Sequence, residues 1–359
     1  MSGSLPIPGD VDAITPPWLS RAIASRAAGA RASSVEVVDA HSGTTGRVRL
    51  RVTWQPGSAA PAALFGKLAP TDPVQRQMVS FTDMGRREAR FHAALGRELP
   101  IRVPQAWWSG WAPDDPTSYF MLLEDLVDAG CTFPTSREGD AGRSDEGMVD
   151  TLAALHARFW ESPRFADDLA WIEPPMRSAV GPALVREGVS KLGADMPPVF
   201  HAMAAIYLEH TDALADLLDT GPATLAHGDA HLGNTFLDGD RVGLLDWACV
   251  CRAPGQRDVS YYLCNSVPTA ARRESERDLV ERWRTAIRRT GVEAPDPDVA
   301  WRSHRRLATS AWIAATATAA AGDRMQSLAV GRRALQRANQ AIADLGTVEL
   351  LREELGIRP

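Results

Sequence analysis

The sequence predicts an α+β fold, with strand patterns gathered in the first part of the chain and mainly helical ones in the rest. Two patterns predict it. In the first part of the chain, short runs alternate apolar and polar residues between Gly- and Pro-bearing turns, as strands do, with helix-patterned segments among them. From Met148 onward apolar residues recur at helical spacing, interrupted by one strand, turn and strand pattern at 235–245. The 359 residues suffice for one large domain or for two lobes that each bury a core.

Taken in order, Ile14–Ala28 reads as a helix. Thr15 can cap it, Pro16 suits its first position, and Trp18, Leu19, Ile23 and Ala27 recur at helical spacing. Val35, Val37 and Val38 mark a strand that leads into the turn Ser42–Gly46. Val48, Leu50, Val52 and Trp54 then alternate with Arg47, Arg49, Arg51 and Thr53, a second strand, and Ala63–Leu68 follows a turn as the next. Met78–Met84 and Arg86–Leu95 carry a helical pattern in which Glu88 lies near Ala89, Phe91 and Leu95 on the inner side. Val103–Trp108 and Tyr119–Leu126 read as strands around a turn at 112–117, and Val127–Gly147 has almost no apolar period and reads as a loop. Met148, Leu152, Leu155 and Phe159 mark a helix over Met148–Glu161. Further helices are expected at 179–192, 197–218, 270–290, 299–321 and 326–345, the last burying Leu328, Leu335, Ile342 and Leu345.

The most informative stretch is His227-Gly-Asp-Ala-His-Leu-Gly-Asn234, followed twelve residues later by Asp246-Trp247. Thr235–Leu237, Asp238-Gly-Asp240 and Val242–Leu245 read as strand, hairpin turn and strand. Asn234 and Asp246 therefore stand at the entrance and exit of one hairpin, close enough to share an ion. Asp229 supplies a carboxylate for a hydroxyl, while Asn234 and Asp246 offer the hard oxygens that Mg²⁺ takes beside phosphates and water. Those are the parts phosphoryl transfer requires, because positioning and charge neutralisation supply nearly all of its catalysis. Turns and Asx caps are the ordinary employment of Asp and Asn. The spacing of the whole set outweighs that reading.

At these residues the sequence resembles the aminoglycoside phosphotransferase and choline kinase group, including ecdysteroid-kinase-like enzymes, relatives of protein kinases whose catalytic loop reads His-Gly-Asp-x-x-x-x-Asn. The resemblance implies a two-lobed protein-kinase-like α+β fold, with a small lobe built on an antiparallel sheet and a larger, mainly helical lobe. Residues 1–125 would form the nucleotide-binding lobe with the hinge at its end, and 126–359 the helical lobe with catalytic loop and substrate cleft. It implies Asp229 as catalytic base, Asn234 and Asp246 as Mg²⁺ ligands, and His227 as an organiser of the loop. Lys67, the only Lys in the first 190 residues, would hold the α/β-phosphates with Glu88 as its partner, beneath a hairpin turn bearing Ser42, Gly43 and Gly46. That turn departs from Gly-x-Gly-x-x-Gly. Main-chain groups near Glu124–Leu126 would meet adenine, with Glu124 and Asp125 facing ribose or substrate. Asp258 would brace the catalytic loop through backbone hydrogen bonds, or, on local grounds, cap a helix at Val259–Asn265. Trp247-Ala248 stands where protein kinases carry Phe-Gly, so no activation-loop switch is expected.

The implied function is ATP- and Mg²⁺-dependent phosphorylation of a hydroxyl on a small organic molecule. Asp167, Asp168 and Glu173 would suit a polycationic acceptor, and Trp160, Phe165, Trp171 and Trp247 a lipophilic alcohol. The alternative is a catalytically idle kinase-fold protein that binds nucleotide or ligand. Such proteins commonly lose the Lys, the base Asp or the metal Asp, and this chain has a residue for each. A formal charge of −6, from 39 basic and 45 acidic residues, argues against nucleic acid as the main partner. No run approaches the roughly 18 apolar residues of a membrane span, and the first residues lack a basic segment followed by an apolar one; a cytoplasmic protein is expected. Cys131, Cys249, Cys251 and Cys264 match neither a disulfide framework nor a zinc spacing. Nothing in the sequence bears on oligomeric state.

Overall fold

Thr15 caps α1 (Pro16–Ala22) in the computed structural model, which describes residues 5–43, 45–134, 143–322 and 327–358. The Thr15 hydroxyl accepts the Trp18 N–H, and Pro16 occupies the first turn, where a missing N–H costs nothing. The helix ends at Ala22 rather than at 28; Ile23–Ala30 close in short turns, with Gly29 at φ 80°. Strands β1 (Ala32–Ser42), β2 (Gly46–Trp54) and β3 (Ala63–Leu68) follow. Then come helices α2 (Pro73–Thr82) and α3 (Met84–Ala94), separated at Asp83, whose φ of 56° breaks the helical run. β4 (Ala106–Trp111) begins later than expected, after Pro104, and β5 (Tyr119–Glu124) completes an antiparallel sheet of order β1-β2-β3-β5-β4.

The alternation read in β2 is borne out: Val48, Leu50 and Val52 are buried while Arg49, Arg51 and Thr53 are not. They pack with Leu64, Phe120 and Leu122 against Trp18, Leu19 and Ile23. On the opposite face Tyr119, Met121 and Leu123 pack with Val79 and Ala89. Gly85 makes that packing possible, because a Cβ there would overlap the Tyr119 ring. It thereby sets the height of α3 on the sheet and, one turn on, the position of Glu88.

After α4 (Arg143–Arg158) come α5 (Val180–Leu192), α6 (Pro198–Glu209) and α7 (Thr211–Leu218). The single helix expected over 197–218 is thus two, broken at His210. β6 (Ala223–Ala226) leads to β7 (Thr235–Asp238) and β8 (Arg241–Leu244), which make the expected two-stranded ribbon; β9 (Cys251–Pro254) pairs antiparallel with β6. The remaining helices are α8 (Gln256–Asn265), α9 (Thr269–Arg289), α10 (Pro297–Ala321), α11 (Leu328–Asp344) and α12 (Thr347–Glu354). Phe200, Leu214, Trp312, Leu335, Ile342 and Leu351 share one core. Leu328, expected in the buried stripe, is 41% exposed in the first turn of α11. No helix among the described residues is long and apolar enough to cross a membrane.

By their internal contacts the residues divide into two units. The first comprises Met1–Thr132 with Phe236–Asp240 and Leu244–Cys249, and the second Phe133–Thr235, Arg241–Gly243 and Val250–Pro359. The later segments join the first unit through the Thr132–Leu237 bridge, the Leu244 N–H to Arg102 carbonyl bond, and the Arg102 guanidinium 2.7 Å from Asp238.

Candidate active site

In the first unit Lys67, Glu88 and Asp246 come together. Lys67 sits on β3, its Nζ 2.5 Å from Glu88 Oε2 and 3.2 Å from Asp246 Oδ1. Lys67 and Glu88 are buried, so neither could persist as an unpaired charge. Burial disfavours the ammonium, but the Asp246 and Glu88 carboxylates outweigh it and raise the Lys67 pKa. Burial likewise works against the Glu88 carboxylate, and Lys67 and His92 together outweigh it, holding Glu88 well below its ordinary range.

Asp246 is placed by its neighbour. The Trp247 ring is fully buried and stacks on Phe91 of α3, with centroids 4.0 Å apart. The Trp247 N–H points to Glu88 Oε1 at 3.3 Å. Asp246 itself takes φ 64°, a left-handed conformation that Asp tolerates better than most residues. Its carboxylate is bracketed by Lys67 on Oδ1 and by Arg47 at 3.6 Å from Oδ2. Trp247 is therefore a core residue, and its expected place on a substrate rim is corrected.

The turn between β1 and β2 holds Ser42 opposite Gly46, and the Gly43 N–H bonds the Thr45 carbonyl. The Ser42 hydroxyl accepts the Thr71 N–H at 3.3 Å. Thr45 Oγ1 is buried and has no hydrogen-bond partner among the described residues. At the end of β5 the Glu124 carboxylate is held by Arg102 at 2.6 and 2.9 Å, and its N–H by the Gln105 carbonyl. Asp125 is held by Arg49 at 2.8 Å. The Leu126 carbonyl accepts the Cys131 N–H.

In the second unit Asp229 is oriented from three sides. Tyr261 of α8 donates to Oδ1 at 2.8 Å, Asn234 Nδ2 to Oδ2 at 3.1 Å, and His231 Nε2 lies 3.5 Å from Oδ2. Burial would raise the Asp229 pKa, but His231 and the Tyr261 hydroxyl outweigh it and the pKa falls below its ordinary value. Asn234 also donates to the Asp229 carbonyl at 2.9 Å. Its amide hydrogens are thus directed at Asp229, leaving Oδ1 as a hard acceptor of the kind Mg²⁺ takes.

The loop carrying Asp229 is fixed by Asp258. Its Oδ2 accepts the His227 N–H at 2.6 Å and its Oδ1 the Gly228 N–H at 3.0 Å. His156 Nε2 lies 3.2 Å from the same Oδ2. The Trp283 indole, which can only donate, approaches His156 Nδ1 at 3.0 Å, so Nε2 carries the hydrogen offered to Asp258. Burial opposes the Asp258 charge, and His156, His227 and the Gly228 N–H together outweigh it and lower the pKa. Gly255 leaves room for this arrangement, since a Cβ there would lie 2.7 Å from the His156 ring. Asp258 is the third residue of α8, not its cap, which is Gly255.

Sequence reasoning missed Tyr261, His156 and Trp283 as parts of the site. One signal was present: Tyr261 follows Asp258 by three residues, which puts both on one face of a helix. Nothing local marks the other two.

Residues 23–307 match a sequence model of the phosphotransferase enzyme family, APH. The solved GDP complex of wild-type aminoglycoside 2'-phosphotransferase-IIIa is similar with a TM-score of 0.51 at 12% identity, over 92% of this chain and 99% of that one. Choline kinase from Cryptosporidium parvum Iowa II gives a TM-score of 0.52 at 12% identity, over 90% and 92%. At this identity the likeness is one of fold, kinase-like, with an antiparallel-sheet part and a larger helical part. A comparison with curated proteins gives no match.

Proposed function

The chain belongs to the phosphotransferase enzyme family, and from that premise we propose that it transfers the γ-phosphoryl of ATP, with Mg²⁺, to a hydroxyl of a small organic molecule. The observation that carries the reading is the buried Lys67–Glu88 pair reaching Asp246, a cation fixed for phosphate beside a carboxylate suited to a metal.

Asp229, ionised and held by Tyr261 and Asn234, accepts the hydrogen bond of the acceptor hydroxyl, orients it and receives its proton. Its lowered pKa makes it a weak base, which a loose phosphoryl-transfer transition state tolerates because positioning dominates. Asn234 Oδ1 and Asp246 would hold Mg²⁺, whose charge offsets that of the phosphate oxygens. Lys67, fixed by Glu88, holds the α/β-phosphates, and the turn of Ser42, Gly43 and Gly46 covers them. The Thr45 hydroxyl, buried without a partner among the described residues, is a donor available there. For the base, the Leu126 N–H is a main-chain donor with no partner among the described residues, whereas the Glu124 N–H and the Leu126 carbonyl are already bonded. Glu124 contributes main chain only, its carboxylate being committed to Arg102.

The similar structures are named for aminoglycosides and choline, and one holds GDP. The test is therefore ADP or GDP release from Mg·ATP and Mg·GTP across a panel of sugars, amino alcohols, lipophilic alcohols and a generic protein. Release stimulated by one class of small alcohol supports the reading; stimulation by the protein alone, or none by any acceptor, refutes it.

A further inference from the structure

Strand β2 sends Val48, Leu50 and Val52 into the core and Arg47, Arg49 and Arg51 to the opposite face. Register places Arg47 directly opposite Lys67 on β3 and His41 on β1. Residues directly opposite project from the same face of a sheet and stand side by side. Two permanent cations therefore share Asp246, with Lys67 on Oδ1 and Arg47 on Oδ2.

The two are not equivalent. Lys67 is buried and has Glu88 as a second partner, whereas Arg47 is 45% exposed and has Asp246 alone among the described residues, 3.6 Å away. Arg49, the next arginine on the strand, is engaged by Asp125 at 2.8 Å. With Glu88 and Asp246 facing Lys67 and Arg47, the cluster is electrically balanced. A divalent cation on Asp246 would upset that balance and take from Arg47 its one carboxylate. An anion must then enter, and phosphate oxygens bound to the same cation satisfy both demands, because a guanidinium pairs with phosphate as readily as with carboxylate.

We propose that Arg47 is a phosphate-binding residue, exchanging the Asp246 carboxylate for the terminal phosphates of a metal-bound nucleotide. The proposal rests on the nucleotide-dependent reading above and assigns a role to a residue outside it. It makes the site discriminate by phosphate count: Arg47 acts on the phosphates beyond the first, and the nucleoside and α-phosphate bind without it.

Calorimetric titration of the full chain with ATP, ADP and AMP, with and without Mg²⁺, tests this in the wild type and in Arg47→Gln. The variant should weaken Mg·ATP at least about 10-fold, the order of one lost charge-assisted pair. It should leave AMP within about 2-fold, on the same affinity scale. Arg47→Lys should recover part of the loss. Mg·ATP binding unchanged in Arg47→Gln, or equal weakening of ATP and AMP, overturns the proposal alone. A wild type that binds no nucleotide overturns the functional reading and the proposal with it.

Discussion

Replacing Asp258 by Asn changes one atom and disturbs the whole support of the Asp229 loop. The carboxylate accepts at both oxygens, the His227 N–H and His156 Nε2 on Oδ2 and the Gly228 N–H on Oδ1. A carboxamide has one oxygen. Its best placement keeps that oxygen where Oδ2 was and turns its NH₂ toward the Gly228 N–H, donor against donor. His156 cannot relieve the conflict by changing tautomer, since Trp283 donates to its Nδ1. One hydrogen bond to a charged group is lost and two others are weakened, a cost of about 2–4 kcal/mol. Urea unfolding followed by tryptophan fluorescence measures it. The folded pKa of Asp258 lies below the ordinary 3.8, so its contribution is complete above that pH and is lost as pH falls through the depressed value. The gap between wild type and variant should narrow below about pH 4. A variant within about 0.5 kcal/mol of wild type at pH 7, the range of an ordinary surface change, would refute the bracing role.

Lys67→Met should destabilise the protein by about 3–5 kcal/mol, because it leaves the buried Glu88 carboxylate uncompensated. Lys67→Met with Glu88→Leu should recover most of that loss in the same unfolding assay, and strict additivity would contradict the coupling. Tyr261→Phe removes a hydrogen bond that favours the ionised form of Asp229, so the acid limb of the turnover profile should move to higher pH. An unmoved limb would separate the two residues. Asp246→Ala should abolish the Mg²⁺ dependence of nucleotide binding, and calorimetry that finds it intact would remove Asp246 as a metal ligand.

Local patterns in the sequence carried much of the fold. The strict alternation of β2 reports which face is buried, and the Asp-Gly turn reports the ribbon of β7 and β8. Periodicity fails where no residue signals the break: the apolar pattern runs through His210, a site with neither Gly nor Pro, where the backbone turns to φ −126° and ψ 33°. It also reports burial without reporting a partner. Trp247 reads equally well as a rim or a core residue, and only its stacking on Phe91 decides. Within the candidate site, Asp229, Asn234 and Asp246 were visible as residue types at a telling spacing, and Lys67 and Glu88 through the family resemblance. The supports were not. Trp283, His156 and Asp258 lie more than a hundred residues apart along the chain from one contact to the next, and such a chain of hydrogen bonds has no local trace.

The most direct test of phosphoryl transfer through Asp229 is a single-turnover measurement of γ-phosphoryl loss from Mg·ATP with the best acceptor of the panel, wild type against Asp229→Asn. The rate should fall by at least about 100-fold, the lower range for a lost general base, while Mg·ATP affinity is retained. Transfer at the wild-type rate by Asp229→Asn would contradict the account.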